Sequence, residues 1–511
     1  MTRRFYDVVF LGTGFEALLA AALLARRGFR VLVLGQGAQP PTYRAAGRLW
    51  PRRAHSFLAT HSPVARRTLS ELALHPSFRR RSVAIDPAFQ VVLPGHRFEF
   101  ALEPDALQRE IAREFPTVKR AVEDFGRACE RHAAALDRAF ERDLLWPPET
   151  FLERREVARA TAHQPFGRDG SALDPFEEFP EAHPFRTVVT APALFSSGMT
   201  ADPPVPLALT RLYWAWCHAV KLDGGAGWLH QALLDRIATY SGEVRPRESA
   251  DRLLVRRGAV VGLRLAGSGE EVGCSFVAHA RELDSLLRLL PERGALADLF
   301  ERLGEPTPRW FRYTLNVLVD AEGVPEGMAR DVFYVRDPGR LSAGSDSALR
   351  VDIAPQGPDG LRTMTLEALL PRRGVEEIPG YVASMRQRLL AALGELAPFI
   401  DRHIHLVDSP HDGVEVHDLR AGTIIAPDEP WSRGPATMEA LYGYPVRGTL
   451  GVFAFPIRTP IRRLLLCSPH VAPGLGDEGA FLTAWSTARL VTRSDRRKEW
   501  MRRGLWTKIE I

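Results

Sequence analysis

The hydrophobic pattern of this chain is sharpest at its start. Residues 8–11 are a short β-rich apolar run, residues 17–27 are rich in alanine and leucine and stop at Gly28, and residues 31–34 are a second apolar run. Short apolar runs bounded by turn residues read as buried strands, and the longer stretch between them as a helix. Gly12-Thr13-Gly14-Phe15-Glu16-Ala17 joins the first strand to the helix. Strand, glycine turn, helix, strand is the opening unit of a dinucleotide-binding fold. A secretory leader or membrane helix is the competing reading of the same stretch. Glu16 and two glycines interrupt it, the second strand follows on schedule, and Arg26-Arg27-Gly28 is not a small-residue cleavage site.

Further along, the pattern predicts a loop and short helices over 38–85, with a strand at 83–85. A hairpin follows at 90–100 around Pro94-Gly95, and then one or two long helices over 104–142. Residues 146–186 are rich in proline and charge and read as irregular. Residues 207–220 read as a helix carrying Tyr213, Trp214 and Trp216, either packed core or the wall of a greasy substrate site. A helix over 228–240 leads to a strand near 243, a hairpin at 253–265, a strand at 276–278 and a helix at 282–290, an order that returns the chain to the first sheet. Alternating runs at 311–318, 332–335, 348–353 and 363–368 predict a separate antiparallel sheet. A helix over 381–396 and a strand at 404–407 follow. A strand at 463–467, a glycine-rich loop to Ala480 and a helix at 481–491 make a second strand–glycine–helix unit, with Asp477 as the expected N-cap.

The small residues of the first unit have distinct uses. Gly12 permits the tight turn, Gly14 lets a diphosphate approach the backbone, and Ala17 lets the helix pack closely on the strand. The helix start then offers unpaired N–H groups and partial positive charge to the phosphates. The acid that normally ends the second strand and binds the adenosine ribose is missing, since Leu34 is followed by Gly35-Gln36-Gly37. Gln36 offers a neutral hydrogen bond of about 1 kcal/mol in place of a charge-assisted one of about 1.5–3. That loss weakens the hold on a cofactor.

At 511 residues the chain is too long for one core, and with 45% hydrophobic and 25% charged residues its composition is that of a globular protein. Cys129, Cys217, Cys274 and Cys467 are scattered without a CxxC or disulfide spacing, which points to a reducing cytosol. The net charge is +5, carried almost wholly by arginine, and no nucleic-acid signature accompanies it. His403, His405, His411-Asp412 and His417-Asp418 read as surface histidines, and no metal site is expected. The stretch 493–511 mixes basic residues with Trp500, Leu505, Trp506 and Ile509. It reads equally as an interfacial segment on the inner face of a membrane or as a solvated helix end.

These motifs, in this order, resemble the flavoprotein family of phytoene desaturases and carotenoid isomerases, within the amine-oxidase-like superfamily. GTGFEA resembles the family's FAD diphosphate loop, and Asp86-Pro87 through Leu93-Pro94-Gly95 its entry to the substrate domain. Leu222-Asp223-Gly224-Gly225-Ala226-Gly227-Trp228-Leu229 is similar to its central glycine pair, and the stretch from Ala250 to Leu263 to the strand and hairpin whose backbone meets the adenine. The stretch from Phe455-Pro456 to Ala480 is similar to its segment near the flavin ring. The family's arginine/double-glycine motif is absent; only Tyr43-Arg44-Ala45-Ala46-Gly47 stands nearby.

The resemblance implies an α/β fold: a Rossmann-like FAD/NAD(P)-binding domain assembled from 1–85, 221–305 and 456–492, and an inserted α+β substrate domain from 86–220 and 306–455 with an antiparallel sheet. It implies FAD as cofactor. The positions that match its binding motifs are Gly12, Thr13, Gly14, Phe15, Glu16, Ala17, Gly35, Gln36, Ala250, Gly474, Gly476, Asp477, Gly479 and Ala480. The implied activity is an FAD-dependent oxidoreductase acting on a hydrophobic polyene, isoprenoid or lipid-like substrate. Such chemistry needs few acid–base groups, and no dyad or triad stands out. Amine oxidation fits less well, because no lysine lies between Lys221 and Lys498. The alternative is a flavin-free binding or carrier protein on the same fold, similar to the Rab GDP-dissociation inhibitors.

Overall fold

The structure, a computed structural model, describes residues 4–162, 174–200, 205–291, 293–343, 345–445 and 448–494. Residues 495–511, most of the basic C-terminal stretch, lie outside the described residues.

The first strand, Phe5–Leu11, is the middle of a seven-stranded sheet. It pairs in parallel with Val31–Leu34 on one side and Glu271–His279 on the other. Glu243–Arg245 extends the sheet beyond Val31–Leu34. Leu464–Leu466 joins Glu271–His279 in parallel, and the antiparallel hairpin of Ala250–Arg256 and Ala259–Leu265 closes that edge. Strands from the beginning, middle and end of the chain therefore share one sheet. Val31–Leu34 is buried at every residue, as a strand covered on both faces must be.

The first helix, Phe15–Arg26, is buried continuously from Glu16 to Ala25. A helix that is apolar all round belongs inside. It packs between the helix Gly225–Thr239 and the closing helix, Asp477–Arg493, and its run of alanines lets both approach.

The second sheet has ten strands built around the long strand Thr307–Asp320, which pairs antiparallel with Leu361–Pro371, Ile404–Asp408 and Glu439–Gly443. It departs from the expected all-antiparallel sheet at one join, where Asp331–Val335 meets Gln90–Leu93 in parallel. The helix Tyr381–Leu396 covers it through Met385, Leu389 and Leu393.

Several local expectations are corrected. A hairpin, Thr42–Ala45 with Arg48–Pro51, stands where a loop was expected, turning on Ala46 and Gly47, both at positive φ. Phe151–Ala160 is a helix inside the stretch expected to be irregular, started by a Thr150–Glu153 capping box. The aromatic helix ends earlier than expected, at Trp216. Tyr213 packs on Phe100 and Phe125, and Trp216 on Phe89 and Phe333, so these rings build core. No helix among the described residues is long and apolar enough to cross a membrane.

Candidate functional site: a crevice between two helix starts

At the end of the first strand, Gly12 donates its N–H to the Leu34 carbonyl at 2.8 Å, and the chain turns at Thr13-Gly14 into the first helix. No side chain caps that helix. Its leading N–H groups have no intrahelical partner. The closing helix starts the same way, at Asp477 after Gly476, again with no side-chain cap. Asp477 is thus the first helical residue and not the N-cap. Its Oδ2 accepts the Leu58 N–H at 2.9 Å, tying the helix start to the segment that follows the hairpin. Phe15 and Phe481 meet edge to face at 5.4 Å and hold the two starts side by side.

Both starts open on one crevice of about 360 Å³. Thr13, Gly14, Phe15 and Glu16 line it from one side, and Gly476, Asp477, Gly479 and Ala480 from another. Ala226, Leu229 and His230 add a wall from the central helix. The second sheet contributes Arg312 and Glu439, and the segment after the hairpin Arg53 and His55.

The charges of this crevice are interlocked. Arg312 donates to Glu439 at 3.0 Å and to the buried Glu367 at 3.2 Å, and Arg53 reaches Glu439 at 3.3 Å. Burial alone would raise the Glu439 carboxyl, but Arg53 and Arg312 hold it below its ordinary range. Burial pushes His55 down to about 4, so its imidazole is neutral near pH 7. Glu16 is 8% exposed. Burial pushes its carboxyl up to about 7; its own backbone N–H opposes the rise, and Glu439 and Asp477 add to it.

At the end of the second strand, where adenosine is expected, the chain's own groups are paired. A Cβ on Gly35 would lie 1.8 Å from the Pro246 carbonyl oxygen, so no side chain fits at this position. Gln36 is next in line, and its amide is already engaged. Its Nε2 donates to the Ala250 carbonyl at 2.9 Å, and its Oε1 accepts the Ala250 N–H at 2.8 Å. Gln36 and Ala250, the positions expected to meet ribose and adenine, bond each other. They border a second cavity of about 300 Å³ together with Arg281 and Arg288. Arg281 also lies over Gly12, its Cδ 3.0 Å from where a Cβ on Gly12 would sit.

Gly12, Ala17, Gly35 and Gly474 line neither cavity. Ala17 is fully buried, and Gly474 is pressed on Val452 and Met199. Arg53, His55, Arg312 and Glu439 were not foreseen. Arg312 carried a signal, a charge inside an apolar strand, whereas Arg53 and His55 sit in an aperiodic stretch. Among the described residues no group of three or more His, Cys, Asp and Glu could hold a metal ion. His405 bonds Asp320 at 2.8 Å, and His411, expected at the surface, is buried.

No curated protein sequence matches the chain. Among solved structures, an oxidoreductase from Methanosarcina mazei is similar over 94% of this chain and 100% of its own, at 14% identity and TM-score 0.58. Putrescine oxidase bound to putrescine is similar over 95% and 99%, at 14% identity and TM-score 0.58. A protein from Pyrococcus furiosus is similar over 95% and 97%, at 13% identity and TM-score 0.54. At such identities the likeness concerns the fold. Residues 11–72 match the NAD(P)-binding Rossmann-like domain family, and the chain has a mixed α/β fold in which that domain is joined to an additional sheet domain, a fold similar to that of putrescine oxidase.

Proposed function

We propose that this chain is a flavin-dependent oxidoreductase of the phytoene desaturase-like type, acting on a hydrophobic substrate, with FAD as the cofactor. The observation that carries this reading is the opening of two uncapped helix starts, from opposite ends of the chain, on one crevice where the two sheets meet. Such starts favour phosphate and developing negative charge. The groups present fit the diphosphate through the backbone of residues 13–16, while the adenosine ribose finds no acid, and Gln36 would have to release Ala250 to reach it.

A bound flavin supplies two-electron exchange with the substrate. The chain's own part is to orient and to exclude water. Leu229, Pro469, Ala472 and Pro473 give the crevice its apolar wall, which supports a hydrophobic substrate. Arg312 with Glu367 and Glu439 fixes the charged side opposite. Among the described residues no lysine lines the crevice, and Lys221 is bound at 2.8 Å to each of Asp331 and Asp352, which argues against amine chemistry of the kind named for putrescine oxidase.

Purified protein is expected to be yellow, or to become so on incubation with FAD, with flavin absorbance near one equivalent per chain. Protein that stays colourless after that incubation overturns the proposal. The Gln36–Ala250 pairing favours a second reading, a flavin-free carrier of hydrophobic ligands on the same fold. Lipid co-purifying without flavin would support it.

A further inference from the structure

The crevice at the first helix start is lined by a carboxylate of the chain itself. The Glu16 carboxyl folds back over its own turn, with Oε2 3.4 Å from where a Cβ on Gly14 would sit. It is more than nine-tenths buried, lines the crevice, and meets no other side chain within hydrogen-bonding distance among the described residues. The N–H of its own residue, one of the groups a phosphate at this helix start would use, favours its carboxylate form.

We propose that Glu16 is the residue that sets the affinity of the diphosphate site: as a carboxylate it stands in for the anion and excludes a dinucleotide, and as a neutral acid it admits one and donates a hydrogen bond to a phosphate oxygen. The inference rests on the flavin reading above.

The surroundings make the two states unequal. Glu439 from the second sheet and Asp477 from the closing helix both face Glu16 with negative charge, and Arg53 is the cation that opposes them. His55 and His230 line the same crevice, and burial lowers both, so they add no charge near neutrality. A diphosphate arriving beside Glu439, Asp477 and an ionised Glu16 would meet three carboxylates in a partly desolvated site, where like charges repel strongly. Taking the charge from Glu16 alone leaves the neighbouring ion pairs intact and frees the helix start for phosphate. The group's position near neutrality places this exchange within the range a cell visits.

The test is FAD binding to the full chain, followed by flavin fluorescence quenching, at about pH 6 and about pH 8.5, for wild type, Glu16→Gln and Glu16→Ala. Riboflavin, which lacks the diphosphate, is the control probe. Wild type is expected to bind FAD at least roughly tenfold more weakly at the higher pH. Glu16→Gln should bind at least as tightly as wild type does at the lower pH and lose the pH dependence. Riboflavin binding should be indifferent to both pH and variant. Equal FAD affinity in wild type and both variants, with flavin bound, overturns the role of Glu16 and leaves the flavin reading standing. Failure of all three proteins to bind FAD at either pH, with circular dichroism showing them folded, overturns both.

Discussion

Gln36 shows how one side chain can be claimed before a ligand arrives. Its amide makes both a donor and an acceptor bond to Ala250, a pairing that copies a strand contact with a side chain. Gln36→Ala leaves the N–H and C=O of Ala250 without those partners, and a fall of about 1–2 kcal/mol in unfolding free energy is expected from denaturant midpoints. A larger loss is expected at Glu478. It bonds Arg211 through both oxygens, at 2.6 and 2.7 Å, and both side chains are buried. Glu478→Ala leaves the buried guanidinium with Asp137 and the Ala133 carbonyl, at a cost of about 3–5 kcal/mol. Burial alone would raise the Glu478 carboxyl, but Arg211 holds it below its ordinary value. Its contribution to stability is therefore complete above the unfolded-state value and is lost as pH falls through the folded one.

Elements whose pattern repeats were legible in the sequence. Val31–Leu34 and Tyr381–Leu396 fall where periodicity places them, because a buried strand and an amphipathic helix each write their period into the chain. The hairpin of Thr42–Ala45 with Arg48–Pro51 was not legible: its turn residues are Ala46 and Gly47, and each strand is only four residues long, too short to write a clear alternation. The closing helix begins four residues before its apolar run, since Asp477 and Glu478 are held by Leu58 and Arg211, partners that only the folded chain brings near. The glycine loop of the first unit was plain, whereas the engagement of Gln36 depends on a residue more than two hundred positions away. Gly479 tests the packing of the closing helix. A Cβ there would lie 2.2 Å from the Ala472 carbonyl oxygen. Gly479→Ala should lower the unfolding free energy by about 1–3 kcal/mol, read from denaturant midpoints, and weaken the proposed flavin binding, because the backbone beside the crevice must shift.

For the molecule as a whole, buried imidazoles set the acid limit. Burial holds His279 at about 4 and His411 and His470 at about 3, and each is at most 4% exposed. Unfolding returns them to about 6.5, so below that pH the unfolded chain takes up protons that the folded one refuses. Each contributes a loss of about 1.4 kcal/mol per pH unit once the unfolded group is fully protonated and until its folded value is reached. Thermal or denaturant midpoints should therefore fall steadily from about pH 6.5 towards about pH 4.5. The triple variant His279→Gln, His411→Gln and His470→Gln, less stable at neutrality, should show a flatter profile over that interval.

The shared strand Glu271–His279 also governs how this protein can be made. It finds Phe5–Leu11 already made on one flank but waits for Leu464–Leu466 on the other, and the first helix waits for Asp477–Arg493. Contacts of such sequence separation form late. During synthesis the ribosome must deliver nearly the whole polypeptide before the opening unit gains its last neighbours. Nascent chains arrested short of residue 464 should remain open to protease across their first thirty residues, whereas chains extended past residue 494 should resist.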